Sequence, residues 1–143
     1  MSDIPSADVM KEFNKNLVEE FRANGGKVSG QFAGADLLLL TTTGAKSGRP
    51  RLAPLAYFTV EGKLIIIGSK AGADTNPDWV HNLRANPQAH IEVGLDAYDV
   101  TSRELPAAER DEIFDKVVAA APGFGEYQSK TSRVIPLFEL TRV

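Results

Sequence analysis

The 143-residue chain contains no cysteine, which excludes disulfides, thiol catalysis and thiolate metal sites. Only two histidines occur, His81 and His90, and neither has a partner at metal-ligand spacing, so no histidine-based zinc site is expected. No apolar run approaches the ~20 residues that span a bilayer. The first residues, MSDIPSADVMKEF, place acids early and carry no apolar h-region, so a secretory signal is not expected. A basic excess is missing too: 16 Lys and Arg stand against 19 Asp and Glu, for a net charge of -3, which weighs against nucleic acid as a partner. Few aromatics are interleaved with the cations, so base stacking is not expected either. Repeats, linkers and low-complexity segments are lacking as well. One domain over residues 1–143, large enough for a real core and at home in the cytoplasm, is the expectation that remains.

What is present is organised by period. Ser6 has the chemistry of an N-cap, and Asp8 sits where the first turn of a helix favours an acid. Val9, Phe13, Leu17 and Phe21 recur every four residues, and the sequence Asn-Gly-Gly at 24–26 stops the pattern, which predicts an amphipathic helix within residues 1–26. Its apolar face either closes on the rest of the domain or rests on the inner face of a membrane; a polar face of mixed sign favours packing. Strands are predicted at Leu37–Thr43, Leu52–Val60 and Leu64–Gly68, the last two joined by a tight turn at Glu61–Lys63. Ser69–Thr75 reads as a loop, and Asn76, Pro77 and Asp78 as the cap, first position and first-turn acid of a short helix ending before Asn86–Pro87. A second hairpin is predicted from His90–Gly94 and Ala97–Leu105, then a helix from Pro106 with Ile113, Phe114, Val117 and Val118 inward. An irregular connector, APGFGEYQSKTSR, leads to a last strand, Val134–Thr141. Six strands with short turns and three helices describe an α+β, mainly β, antiparallel domain, and a small barrel solves its edge problem.

The most informative stretch is LLLLTTTGAKSGRPR, residues 37–51, where the longest apolar run meets a turn carrying Lys46, Arg49 and Arg51. It is not a P-loop. Ala45 stands where glycine must precede the lysine, Leu40 stands at the earlier glycine, and a strand rather than a helix follows. Gly44 and Gly48 still let backbone amides turn toward an anion, with Lys46, Arg49 and Arg51 as charge and Ser47 and Thr41–Thr43 as hydroxyl donors. The bland alternative is a hairpin loop whose cations are simply solvated.

Together with GSKAGADTNPDWVHNLRANP at 68–87 and YQSKTSRVIPLFEL at 127–140, this stretch resembles the deazaflavin-dependent nitroreductase family, in unbroken order from Phe13 to the end of the chain. The family consists of split β-barrel oxidoreductases that use coenzyme F420, a fold shared with FMN-binding split barrels. The resemblance implies that the cofactor's phosphate and polyglutamate tail lies on the cationic turn, contacting Lys46, Ser47 and Arg51, with Leu52 and Ala53 along the groove and Arg49 auxiliary. It also implies that Asp78, Trp79, Val80 and Asn82 surround the cofactor. Trp79 and Asn82 are three apart and share a helix face, although a lone tryptophan at helical spacing is more often simply a core aromatic. Ile67, Gly68, Ser69 and Lys70 stand at a strand exit where small residues permit close approach of a planar ring.

Under that resemblance a hydride passes from the reduced deazaflavin to a quinone, nitroaromatic or enone, and Ser69, Lys70 and Tyr127 are the candidate catalytic groups that polarise the acceptor oxygen. His81 is expected to face solvent, and Glu109 and Glu112 to form a solvated helix face rather than an acid–base pair. Phe124 and Tyr127 are the expected substrate-pocket residues. The chain departs from the family pattern at Ala121 and Phe124, where nitroimidazole-reducing members carry tyrosines, so quinone reduction is the safer expected activity. The alternatives are an FMN-binding reductase on the same barrel and a non-catalytic deazaflavin carrier. Oligomeric state is left open.

Overall fold

The structure is a computed structural model, which describes residues 7–26 and 36–143. Six strands, β1 (Leu37–Thr43), β2 (Pro50–Val60), β3 (Lys63–Ile67), β4 (Gln88–Val93), β5 (Asp96–Glu104) and β6 (Leu137–Arg142), form a closed barrel in the order β1-β2-β3-β6-β5-β4. Every neighbouring pair is antiparallel, and the β1–β4 pairing, with Leu40 opposite Ile91, completes the circle. Closure leaves no free sheet edge, which is the physical reason for a barrel with this strand inventory.

Strand alternation sorts the core into an interior and two outer layers. Leu38, Leu40, Ile66, Ile91, Val100, Phe138 and Leu140 fill the interior, and Trp79, Val80 and Leu83 of the helix α2 (Asp78–Ala85) plug one end of it. On one outer face the helix α3 (Ala107–Ala120) lays Ile113, Phe114 and Val117 over Ile65, Ile67 and Leu137. On another, the helix α1 (Ala7–Ala23) packs Phe21 on Leu37 and Leu39, with Leu17, Val18 and Ala56 beside it. The four leucines of β1 are therefore all buried, because both faces of that strand are covered.

Turn chemistry agrees with the sequence in two places. Glu61 and Gly62 both have positive φ, 54° and 79°, as a two-residue hairpin turn of the primed type requires. Gly25 follows α1 with φ 64°, and the Gly26 amide donates to the Phe21 carbonyl at 2.8 Å, a Schellman closure of the helix. The Ser6 cap lies outside the described residues. Of the two readings of α1, the described side chains follow the packing one: Leu17, Val18 and Phe21 are committed to the barrel, and Arg22 holds Glu92 with both Nε (3.2 Å) and Nη2 (2.8 Å). Among the described residues no helix is long and apolar enough to cross a membrane.

Several expected details change. The connector expected to be irregular contains a further helix, α4 (Gly123–Ser129), and the loop after β3 contains a 3₁₀ turn at Lys70–Gly72. The last strand begins at Leu137 rather than Val134, which is 67% exposed, because Pro136 accepts from the Gly68 amide at 2.9 Å but has no N–H to return the second bond of the ladder. Pro77, not Asn76, occupies the N-cap position of α2, and the Asn76 side chain is drawn off to Arg133. Glu109 is no solvated carboxylate: it pairs with Arg103 at 2.8 Å and lies 3.6 Å from Lys63, and the Arg103 guanidinium holds it below the usual carboxylate range.

Candidate functional site

The cationic turn is a rigid object. Its Gly44 amide donates to the Arg49 carbonyl (2.8 Å), and the Gly48 amide, where φ is 69°, donates to the Gly44 carbonyl (2.9 Å). A Cβ on Gly44 would stand 2.5 Å from the Ser47 Oγ, which itself accepts from the Arg49 amide at 3.2 Å. The turn is also fastened from below. The Ala45 amide donates to the Asn82 Oδ1 at 2.9 Å, and the Asn82 Nδ2 donates to the Thr42 hydroxyl at 3.0 Å. Asn82 and Thr42 are both buried, so one side chain of α2 ties the end of β1 and the start of the turn to the plug of the barrel.

On this frame Lys46, Arg49 and Arg51 are exposed, and among the described residues none of them has a carboxylate partner. Arg22, Arg84, Arg103, Arg110 and Lys116 are each paired with an acid, whereas Lys70, Lys130, Arg133 and Arg142 also lack one among the described residues, so the turn stands out by the crowding of its three cations. Arg51 stands opposite Thr42, and its Cγ passes within 3.7 Å of a Cβ built on Gly44, so it leans over the turn. Leu52 and Ala53, expected to line one groove together, point to opposite faces: Ala53 joins the barrel interior and Leu52 is 41% exposed outside it. The outer side of the turn opens into a shallow depression of about 370 Å³, bounded by Thr41, Thr43, Gly48, Pro50, His90 and Asp99.

From the turn, α2 leads back to the second group of expected residues. Trp79 is 5% exposed and meets Phe138 edge-on at 5.6 Å, so it is a core aromatic; Val80 is wholly buried beside it. Asp78 and His81 are exposed, Ile67 and Ser69 are buried, and Lys70 is exposed with φ 46° and its Nζ 3.3 Å from the Thr75 hydroxyl. A Cβ on Gly68 would lie 2.8 Å from Val80 Cγ2 and 3.0 Å from Pro136 Cγ, so its small size serves the closure of α2 on the strand exit. Substitution of Gly68 by Ala is expected to lower the free energy of unfolding by about 1–3 kcal/mol, the range for overpacking, as read from urea denaturation.

The helix α4 forms the far wall. Phe124 is wedged between Phe58 and Tyr127, edge-on to both at 5.4 and 5.6 Å, and the Lys130 Nζ stands 5.9 Å over the Tyr127 ring. Gly72, with φ 84°, presses on this helix: its Cβ would be 2.9 Å from the Tyr127 carbonyl oxygen and 3.1 Å from Lys130 Cβ. Tyr127 and the Lys70–Gly72 turn are thus neighbours, whereas Lys46, Ser47 and Arg51 form a separate cluster at the turn bound by Asn82.

Sequence reasoning missed the residues that hold the second group in place. Arg133 donates to the carbonyls of Ala73 (2.8 Å), Gly68 (3.1 Å) and Ser69 (2.9 Å) and to Asn76 Oδ1 (2.7 Å). Gln128 donates to the Arg133 carbonyl (2.7 Å) and accepts from the Ile135 amide (3.0 Å) and from Arg110 (2.8 Å). Arg110 is buried, donates to the Ile135 carbonyl at 2.9 Å and lies 4.2 Å over the Phe114 ring. A signal for Arg110 did exist: it shares the apolar stripe of Ile113, Phe114 and Val117, and a guanidinium there needs buried acceptors.

A sequence profile of the F420H(2)-dependent quinone reductases matches residues 13–142. An F420H(2)-dependent quinone reductase of Mycobacterium tuberculosis is 37% identical over 128 residues, covering 85% of each chain. Among solved structures, one described as an F420-H2 dependent reductase, FDR-A, is 40% identical, covers 74% of this chain and 94% of its own, and superposes with a TM-score of 0.66. Another, described as a domain-swapped dimer, is 36% identical and covers 94% of this chain and 98% of its own, with a TM-score of 0.68.

Proposed function

The chain belongs to the F420H(2)-dependent quinone reductase family, and from that membership we propose that it is an oxidoreductase that binds coenzyme F420 and reduces a quinone. The observation that carries the site assignment is the turn itself: Lys46, Arg49 and Arg51 within six residues, unpaired with carboxylates among the described residues, on a backbone made rigid by Asn82. Such a patch fits a tail bearing a phosphate and several carboxylates, and in a chain of net charge -3 it also steers an anionic ligand to this end of the barrel. The FMN reading is not favoured, because the family and its relatives are named for F420.

Reduced F420, when bound, supplies a hydride equivalent. The chain's own contribution is to bind and orient. Lys46, Ser47 and Arg51 hold the anionic tail. Asn82 spends both ends of its amide on Ala45 and Thr42, so it shapes the turn rather than touching the ligand. Trp79 and Val80 act from the core in the same indirect way, by seating α2. At the same end of the barrel, beyond α2 where β3 exits, Ser69, Lys70 and Tyr127 face the acceptor. A quinone reduced by two electrons takes up a hydride and a proton, and negative charge grows on one oxygen before that proton arrives. The Lys70 Nζ and the Tyr127 Oη are the protein's donors to that oxygen, both on partly or fully exposed side chains that solvent can reprotonate. Phe124, held edge-on to Tyr127, keeps an apolar wall there for a quinone ring without offering a hydroxyl. We extend the acceptor range to nitroaromatics and enones on the same chemistry, since each presents an oxygen that gains charge on hydride uptake.

The test is a paired titration. Oxidised F420 is expected to quench Trp79 fluorescence at concentrations where FMN does not, and menadione is expected to oxidise reduced F420 only when the protein is present. Quenching without turnover would convert the assignment to that of a carrier, and quenching by FMN alone would remove it.

A further inference from the structure

Arg133 stands in a stretch, Lys130–Arg133, to which the proposed chemistry gives no role, yet it makes more side-chain hydrogen bonds to one loop than any other described cation. Its guanidinium meets three backbone carbonyls and one side-chain amide of residues 68–76 and no carboxylate at hydrogen-bond distance. Burial pushes the group below its ordinary value, with Asp74 opposing through its charge, and the arginine stays a cation. We propose that Arg133 is a positioning residue for the reaction, the clamp that sets the backbone of the loop bearing Ser69 and Lys70 against the wall bearing Tyr127. The inference rests on the reading of the site as an F420-dependent quinone reductase.

The geometry of a trans peptide supplies the reason. In each planar unit the carbonyl and the next residue's amide hydrogen point in opposite directions. A guanidinium that gathers the carbonyls of Gly68, Ser69 and Ala73 therefore turns the amides of Ser69, Lys70 and Asp74 away from itself. Neither the Ser69 nor the Lys70 amide has a backbone partner among the described residues. The clamp also holds Lys70 in place, a residue whose positive φ of 46° costs energy for any side chain but glycine.

The second half of the device is Gln128, which grips the Arg133 carbonyl at 2.7 Å and follows Tyr127 directly on α4. Loop and wall are thus linked through two side chains, Gln128 to the backbone of Arg133 and Arg133 to the backbone of the loop. A lysine at 133 keeps the charge but has a point-like head that cannot span four acceptors with the geometry of a fork.

The closing experiment is R133K, examined first without cofactor by hydrogen–deuterium exchange and then in turnover of reduced F420 with menadione. The expected result is exchange accelerated at least about tenfold at the Gly72 and Ala73 amides, the two that donate within this loop, to the Ser69 and Lys70 carbonyls, with β1 and β4 amides unchanged, because only the loop loses its anchor. In turnover, kcat is expected to fall about 10- to 100-fold, the cost of a misplaced reacting group, while the Kd for F420 changes less than about threefold. Unchanged exchange in the loop, acceleration across the whole barrel, or full kcat despite a loosened loop would each overturn the proposal. Failure of the functional reading shows itself separately, as absence of F420-dependent menadione reduction by the unsubstituted protein, and overturns the positioning role with it.

Discussion

Replacement of Lys46 and Arg51 together by alanine is expected to weaken F420 binding by about 30- to 700-fold while leaving the barrel folded. The estimate follows from the chemistry of the turn. A hydrogen bond to a charged group contributes about 1.5–3 kcal/mol, exposure reduces the Coulombic part, and two such contacts then sum to about 2–4 kcal/mol. Both side chains are exposed and without carboxylate partners among the described residues, so their removal breaks no ion pair within the fold. Each single variant is expected to lose roughly half of this in free energy, and the dependence of affinity on salt should flatten as charge is removed. Arg49, whose amide is held by Ser47, is expected to contribute less by its side chain.

Substitution of Asn82 by alanine is expected to act on stability and binding together, without changing any charge. It strands the Ala45 amide and the Thr42 hydroxyl at a site where Thr42 and Asn82 are 2% and 5% exposed. A buried polar group left without a partner costs about 1–3 kcal/mol; the exposed Ala45 amide can turn to water and the Thr42 hydroxyl cannot, so a loss of about 1–3 kcal/mol in unfolding free energy is expected from urea titration. The same change frees the first residues of the turn. Ordering one residue costs about 1–2 kcal/mol, which lowers F420 affinity about tenfold although every cation is intact. A variant with unaltered stability would show that the Asn82 bonds are replaced by water and that the turn keeps its shape without them.

The sequence makes the barrel legible because its signals are local. The leucine run of β1, the glycine in the Glu61–Gly62 turn and the Asn-Gly-Gly stop after α1 each declare their conformation within a few residues. The helix α4 does not, since Pro122, Gly123 and Gly125 lower helix propensity and the helix forms through the packing of Phe124 and Tyr127 on the outer layer. Asn76 has the chemistry of a cap, but a guanidinium 57 residues later takes its oxygen, and no local pattern reports such a partner.

The candidate site divides in the same way. The cationic turn is visible because three cations crowd six residues. Trp79 reads both ways from helical spacing alone, and its edge-on contact with Phe138 decides for the core. Leu52 and Ala53 look equivalent as neighbours in a groove motif until strand alternation separates them. Arg133 is hidden because its importance lies in acceptors 57 to 65 residues away.

We propose that the bend between β1 and β2 grips a polyanion. The most direct test is a thermodynamic cycle: intact F420 and the same deazaflavin ring lacking its phosphate and polyglutamate tail, each titrated into the unsubstituted protein and the Lys46→Ala, Arg51→Ala double variant. The double variant is expected to lose affinity for the intact cofactor alone and to bind the tail-less ring as the unsubstituted protein does. Equal losses for both ligands, or no loss for either, would contradict it.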